Sequence, residues 1–95
     1  MRMTLSQGNV MKSKRVEIEF YPYEFEALKA NRMIRDMCGQ YLKSAKRRGD
    51  FVVFDISIHE ANDLAGWVAA EANHAKSEEE SDLLNSACDA IEANI

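Results

Sequence analysis

The chain has 95 residues, of which 46% are hydrophobic and 29% are charged, and its formal net charge is −4 at pH 7. This balance is ordinary for a globular domain and disfavours global disorder, collagen-like repeats and a membrane protein. The negative total also disfavours a protein that coats nucleic acid with its whole surface. The charge is divided along the chain, because residues 1–50 carry eleven basic and six acidic side chains, whereas residues 51–95 carry one lysine and ten acids.

Residues 1–13 are polar and without hydrophobic periodicity, which predicts a mobile N-terminal tail followed by a single α+β domain over residues 14–95. No apolar run is long enough for a secretory signal or a membrane span. Cys38 and Cys88 lie within apolar helical patterns and form no disulfide framework. We therefore expect a soluble cytoplasmic protein that does not contact a membrane.

Two strands are predicted. Apolar and acidic residues alternate from Val16 to Phe20, which predicts a strand over residues 15–21 with one buried and one solvated face. The nearly continuous apolar run Phe51–Ile56 is rich in aromatic and β-branched residues and predicts a more deeply buried strand over residues 51–57.

The first of three predicted helices covers residues 22–48. Pro22 suits its first turn, and the cations of Lys46–Arg48 followed by Gly49 are typical of a helix end. Gly39 is the weak point of this helix, where we expect a kink or a break.

The second helix is predicted over residues 58–75, because Ser57 and Glu60 have the spacing of a capping box. Ser77 opens a similar box before the third helix, predicted over residues 79–94.

The resulting order is β-α-β-α-α, an α+β fold with the helices packed on the sheet. A helix between two strands normally returns the chain so that the strands run parallel. Two strands alone make a marginal sheet, so we expect a homodimer that completes it through a strand edge, giving four strands, or through helix faces. The candidate dimer contacts are Phe51, Val53 and Trp67, although Trp67 also suits the core.

The most specific feature is a set of six cations that share one face of the first predicted helix, opposite its apolar stripe. These partner-binding candidates are Lys29, Arg32, Arg35, Lys43, Lys46 and Arg47. A solvated helix surface is the simpler interpretation. Tyr21 and Tyr23 flank Pro22 at the corner between strand and helix, where they either pack over the sheet end or contact a partner.

Residues with catalytic or metal-binding chemistry are few and separated. His59 and His74 would lie about 22 Å apart on a continuous helix, so they cannot share a metal ion. The two cysteines are interpreted as core thiols. No cofactor, metal site or catalytic residue is predicted.

The leading hypothesis is a non-catalytic interaction or regulatory protein with a basic face on its first helix and an acidic C-terminal half. The basic face then contacts either an acidic protein partner or the acidic half of a second copy. The alternative is a nucleic-acid-binding regulator that uses the basic face of the first helix, which is less favoured, and a small enzyme is less favoured still. Salt dependence distinguishes the alternative, because phosphate contacts weaken steeply as salt rises.

Overall fold

The computed structural model describes residues 14–95, so the mobile tail expected for residues 1–13 lies outside the described residues. The elements in chain order are β1 (Arg15–Phe20), α1 (Pro22–Ala30), α2 (Arg32–Lys43), β2 (Lys46–Arg48), β3 (Phe51–Ser57), α3 (Ile58–Asn73) and α4 (Glu78–Glu92). The α+β class is confirmed. Both predicted strands and the last two predicted helices are present, with ends that differ by at most two residues.

The sheet has the order β1-β3-β2, and β3 runs antiparallel to both neighbours. The predicted parallel pairing of the first and the last strand is therefore wrong. After α1 and α2 the chain does enter a strand parallel to β1, but this strand is β2, which the sequence pattern does not predict. The two-residue loop Gly49–Asp50 then reverses the chain into β3, which lies between the other two strands. Gly49 has φ +60°, the left-handed conformation that such tight hairpin loops require.

The predicted helix over residues 22–48 is in fact two helices and a strand. The break falls at Asn31, whose backbone is extended (φ −84°, ψ 119°) and whose side-chain Oδ1 accepts a hydrogen bond from Ile34 N at 2.9 Å. Asn31 Nδ2 also donates to Glu71 Oε1 on α3 at 3.1 Å. Asparagine caps the second helix at this point, and the contact with α3 fixes the cap in place.

A second irregularity lies beside Gly39, where a kink is expected. Cys38 has φ −123° and ψ 18°, which departs from helical geometry within α2. The last turns of α2 therefore follow a different direction from its start, and the six predicted cations cannot share one straight helix face.

A buried carboxylate anchors the start of α1. Glu24 is only 4% exposed, and its Oε1 accepts a hydrogen bond from Tyr21 N at 2.8 Å. The Ser86 hydroxyl of α4 donates to the other oxygen, Oε2. Glu24 therefore caps α1 and joins it to α4, a tertiary role beyond the helix-dipole effect that its position in the sequence indicates.

The predicted caps of the last two helices are present. Ser57 Oγ accepts from Glu60 N at 3.0 Å, and Glu60 Oε1 accepts from Ser57 N at 2.9 Å, which completes the capping box of α3. Ser77 Oγ accepts from Glu80 N at 3.1 Å at the start of α4, but the Glu80 carboxylate does not accept from Ser77 N, so only half of this predicted box is formed.

The core lies between the helices and one face of the sheet. Its centre is formed by strand residues that alternate toward the helices and by the inner positions of each helix. The largest fully buried side chains are Phe20, Phe54, Ile18, Leu28, Ile34, Leu64, Leu84 and Ile91. The opposite face of the sheet, the open face, carries Arg15, Glu17 and Glu19 of β1, Phe51, Val53 and Asp55 of β3, and Lys46 and Arg48 of β2.

Candidate interaction surface

The six predicted partner-binding cations are all exposed, but they lie on three elements. Lys29 is in the last turn of α1, while Arg32, Arg35 and Lys43 belong to α2. Lys46 and Arg47 are in β2, which corrects their placement on a helix. The sequence pattern misplaced them because basic residues before a glycine suit a helix end and a hairpin strand equally well.

Three of the six cations converge on one shallow groove. Lys29, Arg35 and Lys43 line a hollow of about 320 Å³ together with Gly39 and Leu42. The turn at Asn31 brings the ends of the two helices together, and Arg35 Nη1 donates to Lys29 O at 2.8 Å across the junction. We call these five lining residues the basic groove.

The other three cations lie outside this groove. Arg32 faces a different hollow, which it shares with Asp36, Glu71 and His74. On β2, Lys46 is paired in register with Val53 and Arg47 with Val52, so successive side chains point to opposite faces of the sheet. Only two residues separate Lys43 from Lys46, so the chain connects the basic groove directly to β2.

Four of the cations have no acidic partner within the described part of the chain. Lys29 Nζ lies 3.2 Å from Glu26 Oε2, and Arg32 Nε lies 3.9 Å from Asp36 Oδ2. No carboxylate of residues 14–95 lies within 4.0 Å of the charged groups of the rest, which we call the uncompensated cations: Arg35, Lys43, Lys46 and Arg47. Their positive charge is therefore available to a partner.

Two ion pairs cross the open face of the sheet. Arg48 holds Glu17 with Nη2–Oε2 and Nη1–Oε1 distances of 3.0 and 3.1 Å, and it lowers the pKa of Glu17 by hydrogen bonding and by its charge. Arg15 Nε lies 3.0 Å from Asp55 Oδ1. The alternation of β1 predicts where Glu17 points, but its partner is not predictable while Arg48 is assigned to a helix.

The three predicted dimer contacts differ in the surface that they offer. Val53 is only 3% exposed, because it lies between Glu19 and Lys46 in register, so it offers a partner almost no area. Phe51 is half-buried on the open face. Trp67 is half-buried and packs against the core, with its remaining surface on a shallow hollow along α3.

Phe51 belongs to an exposed aromatic cluster with Tyr21 and Tyr23. The two tyrosine rings are stacked with centroids 5.4 Å apart, and the Tyr21 ring lies 5.4 Å from that of Phe51. Tyr21 is 50% and Tyr23 52% exposed, so packing over the sheet end covers only part of each ring. Such rings commonly contribute to interfaces.

The remaining chemical groups are dispersed or shielded. His59 and His74 are both exposed, near opposite ends of α3. Within residues 14–95, no three histidine, cysteine or acidic side chains are grouped so that they could hold a metal ion. Every helix in this part of the chain is too short or too polar to span a lipid bilayer.

Both cysteines are free and buried, as the interpretation of core thiols requires. Burial raises the pKa of the Cys38 thiol to about 11, and the charge of Asp63 adds to this effect. Burial also raises the pKa of Cys88, with contributions from Glu92 and Asp89. A nucleophilic cysteine needs a lowered pKa, so these thiols do not suit covalent chemistry.

The Cys38 thiol predicts a loss of stability at alkaline pH. Its pKa rises from an ordinary value of 9.0 in the unfolded chain to about 11 in the native protein, so the native state binds more protons between these values. The free energy of unfolding should therefore fall as pH rises, by about 1 kcal/mol between pH 8 and 10 from this group. Urea denaturation at both pH values should show the fall, and it should be smaller in Cys38→Ala. Equal pH dependence in the two proteins would contradict the assignment.

Comparison with known proteins finds no match to this chain among protein-family models, curated proteins or solved structures.

Proposed function

We propose that this chain is a small, non-catalytic interaction or regulatory protein that forms a homodimer and binds an acidic protein partner. The supporting observation is the group of four uncompensated cations on α2 and β2 of a protein whose net charge is negative. Complementary charge steers association and selects partners more than it adds affinity. Such a surface would steer a regulatory protein toward an acidic partner.

The form of the surface favours a protein over nucleic acid. The cations of the basic groove surround Leu42, an apolar side chain that suits contact with another protein surface. The aromatic cluster adds further apolar area on the open face. On that face Arg48 and Arg15 neutralise Glu17 and Asp55, while Glu19 has no ion-pair partner within residues 14–95 and would repel a phosphate backbone. The proposal places the protein in the reducing cytoplasm, where its two buried thiols stay free.

Reversal of single charges tests the surface. Lys43→Glu and Lys46→Glu should each weaken the complex about five- to tenfold, because an attraction to the acidic partner becomes a repulsion. Lys76→Glu makes the same chemical change at an exposed site between α3 and α4 and should leave the affinity unchanged. The probe is the protein that co-purifies with the full-length tagged chain from its own cell, titrated against each purified variant.

The outcomes separate the two classes of partner. Loss of affinity in Lys43→Glu and Lys46→Glu but not in Lys76→Glu supports the proposal. Equal affinity in all three variants would overturn it. Binding of a double-stranded DNA or single-stranded RNA oligonucleotide instead, with affinity that falls steeply between 50 and 200 mM salt, would favour the nucleic-acid alternative.

A further inference from the structure

The outer edge of β1 carries backbone groups that have no partner among residues 14–95. Ile58 N donates to Lys14 O at 3.2 Å, and these two residues lie opposite each other in the register of β1 and β3. Hydrogen-bonded and non-bonded pairs alternate along antiparallel strands. Val16, Ile18 and Phe20 therefore direct their N–H and C=O groups toward β3, and Arg15, Glu17 and Glu19 direct theirs away from the sheet.

An exposed strand edge of this kind is a template for pairing with another strand. The side chains that accompany the outward backbone groups determine which strand fits. Those of β1 are Arg15, Glu17 and Glu19, so the edge is positive at one end and negative at the other. Such an edge is complementary to itself when a second copy runs antiparallel to it.

We infer that β1 of one copy pairs antiparallel with β1 of a second copy, with Glu17 at the two-fold axis, so that both sheets join into one. This inference rests on the homodimer in the proposed function and replaces the four-stranded sheet expected from the sequence. The pairing places Arg15 opposite Glu19 of the second copy, twice, and Val16 opposite Ile18 of the second copy on the helix side. The outward groups form about six hydrogen bonds between the copies.

Three features favour this register over those shifted by one or two residues: the direction of the backbone groups, the charges of opposite side chains and the length of the overlap. A shift by one residue would set backbone groups that already bond to β3 opposite the outward groups of the second copy, so the hydrogen bonds could not form. A shift by two in one direction places Glu17 opposite Glu19 of the second copy, which is repulsive. A shift by two in the other direction keeps opposite charges facing each other, as Arg15 and Glu17, but it shortens the overlap of the strands. At the two-fold axis Glu17 lies opposite Glu17 of the second copy. Each of these carboxylates is neutralised by Arg48 of its own chain, at 3.0 Å.

The other edge of the sheet does not suit a second copy. β2 consists of Lys46, Arg47 and Arg48, so pairing with itself would place cations opposite cations. The two edges therefore have separate roles, with β1 for the homodimer and β2, next to the basic groove, for the acidic partner.

A charge swap tests the register in the full-length protein. Glu19→Arg removes no hydrogen bond or ion pair within residues 14–95, but it places arginine opposite Arg15 of the second copy. We expect the dissociation constant of the dimer to rise about tenfold or more. Arg15→Glu combined with Glu19→Arg restores opposite charges between the copies and should restore the dimer. Arg15→Glu also removes the ion pair with Asp55 within each copy, so denaturation of Arg15→Glu alone checks that the fold tolerates this loss. Glu92→Arg, an equal change of charge near the end of α4, is the matched control.

Light scattering during gel filtration over a range of micromolar concentrations gives the result. The inference predicts twice the chain mass of 10.8 kDa for the unchanged protein, the control and the double variant, and a lower average mass for Glu19→Arg. A dimer that Glu19→Arg leaves intact, or that the double variant does not restore, overturns the β1 pairing but keeps the homodimer. A chain mass of 10.8 kDa at every concentration overturns both, without affecting the test of the basic surface.

Discussion

Replacement of Phe54 by alanine is expected to lower the free energy of unfolding by about 4 kcal/mol. Phe54 is 0% exposed in the central strand, and its ring lies 4.8 Å from that of Phe20 and 5.8 Å from that of Phe25, both edge to face. Truncation would remove both aromatic contacts and leave a cavity between sheet and helices. Guanidinium denaturation followed by circular dichroism measures the change.

Two companion variants keep this prediction testable if Phe54→Ala does not fold. Phe54→Leu retains most of the volume and should cost about 1–2 kcal/mol. Phe51→Ala makes the same truncation on the open face, where the ring is half-buried, and should cost less than about 2 kcal/mol. A Phe51→Ala variant that loses as much stability as Phe54→Ala would contradict the placement of the core on one face of the sheet.

Replacement of Glu24 by alanine should cost about 3 kcal/mol, far more than loss of a surface carboxylate. The change leaves Tyr21 N–H and the Ser86 hydroxyl without the acceptor that both use, at a site that is only 4% exposed. Glu24→Gln keeps an acceptor for Tyr21 and should cost less.

Glu26→Ala is the matched control for this second prediction, because Glu26 is exposed on the same helix and forms only a surface ion pair with Lys29. Its expected cost is below about 1 kcal/mol. Thermal and chemical denaturation of both variants give the comparison. Equal costs for Glu24→Ala and Glu26→Ala would show that Glu24 acts only through the helix dipole.

The sequence predicts those elements whose signals are local. The limits of β3 agree with the apolar run from Phe51, and the start of α3 agrees with the capping box of Ser57 and Glu60. Each of these signals is complete within a few residues, so no distant contact is needed to interpret it.

The long first helix fails as a prediction because its break depends on a distant residue. Asn31 has a modest cost inside a helix, and the sequence does not show that its side chain caps α2 at Ile34 N and is held there by Glu71, 40 residues away. β2 fails for a related reason, because Gly49 suits both a helix end and a hairpin loop. The loop is identified only once Arg48 is seen opposite Phe51.

The candidate surface was predictable in composition but not in shape. All six cations are exposed, yet the break at Asn31 and the strand at Lys46 distribute them over three elements. The groove formed by Lys29, Arg35 and Lys43 depends on how α1 meets α2, which helical periodicity cannot give. The burial of Glu24 was also not predictable, because an acid in the first helical turn is normally solvated.

Amide hydrogen exchange measured by NMR tests the pairing of β1 most directly. In a dimer joined through β1, the outward amides of Arg15, Glu17 and Glu19 should exchange almost as slowly as the inward amides of their neighbours. The Glu19→Arg variant, as a monomer, should show protection only at alternate residues. The same alternation in the unchanged protein, at a concentration where light scattering reports a dimer, would contradict the proposed interface.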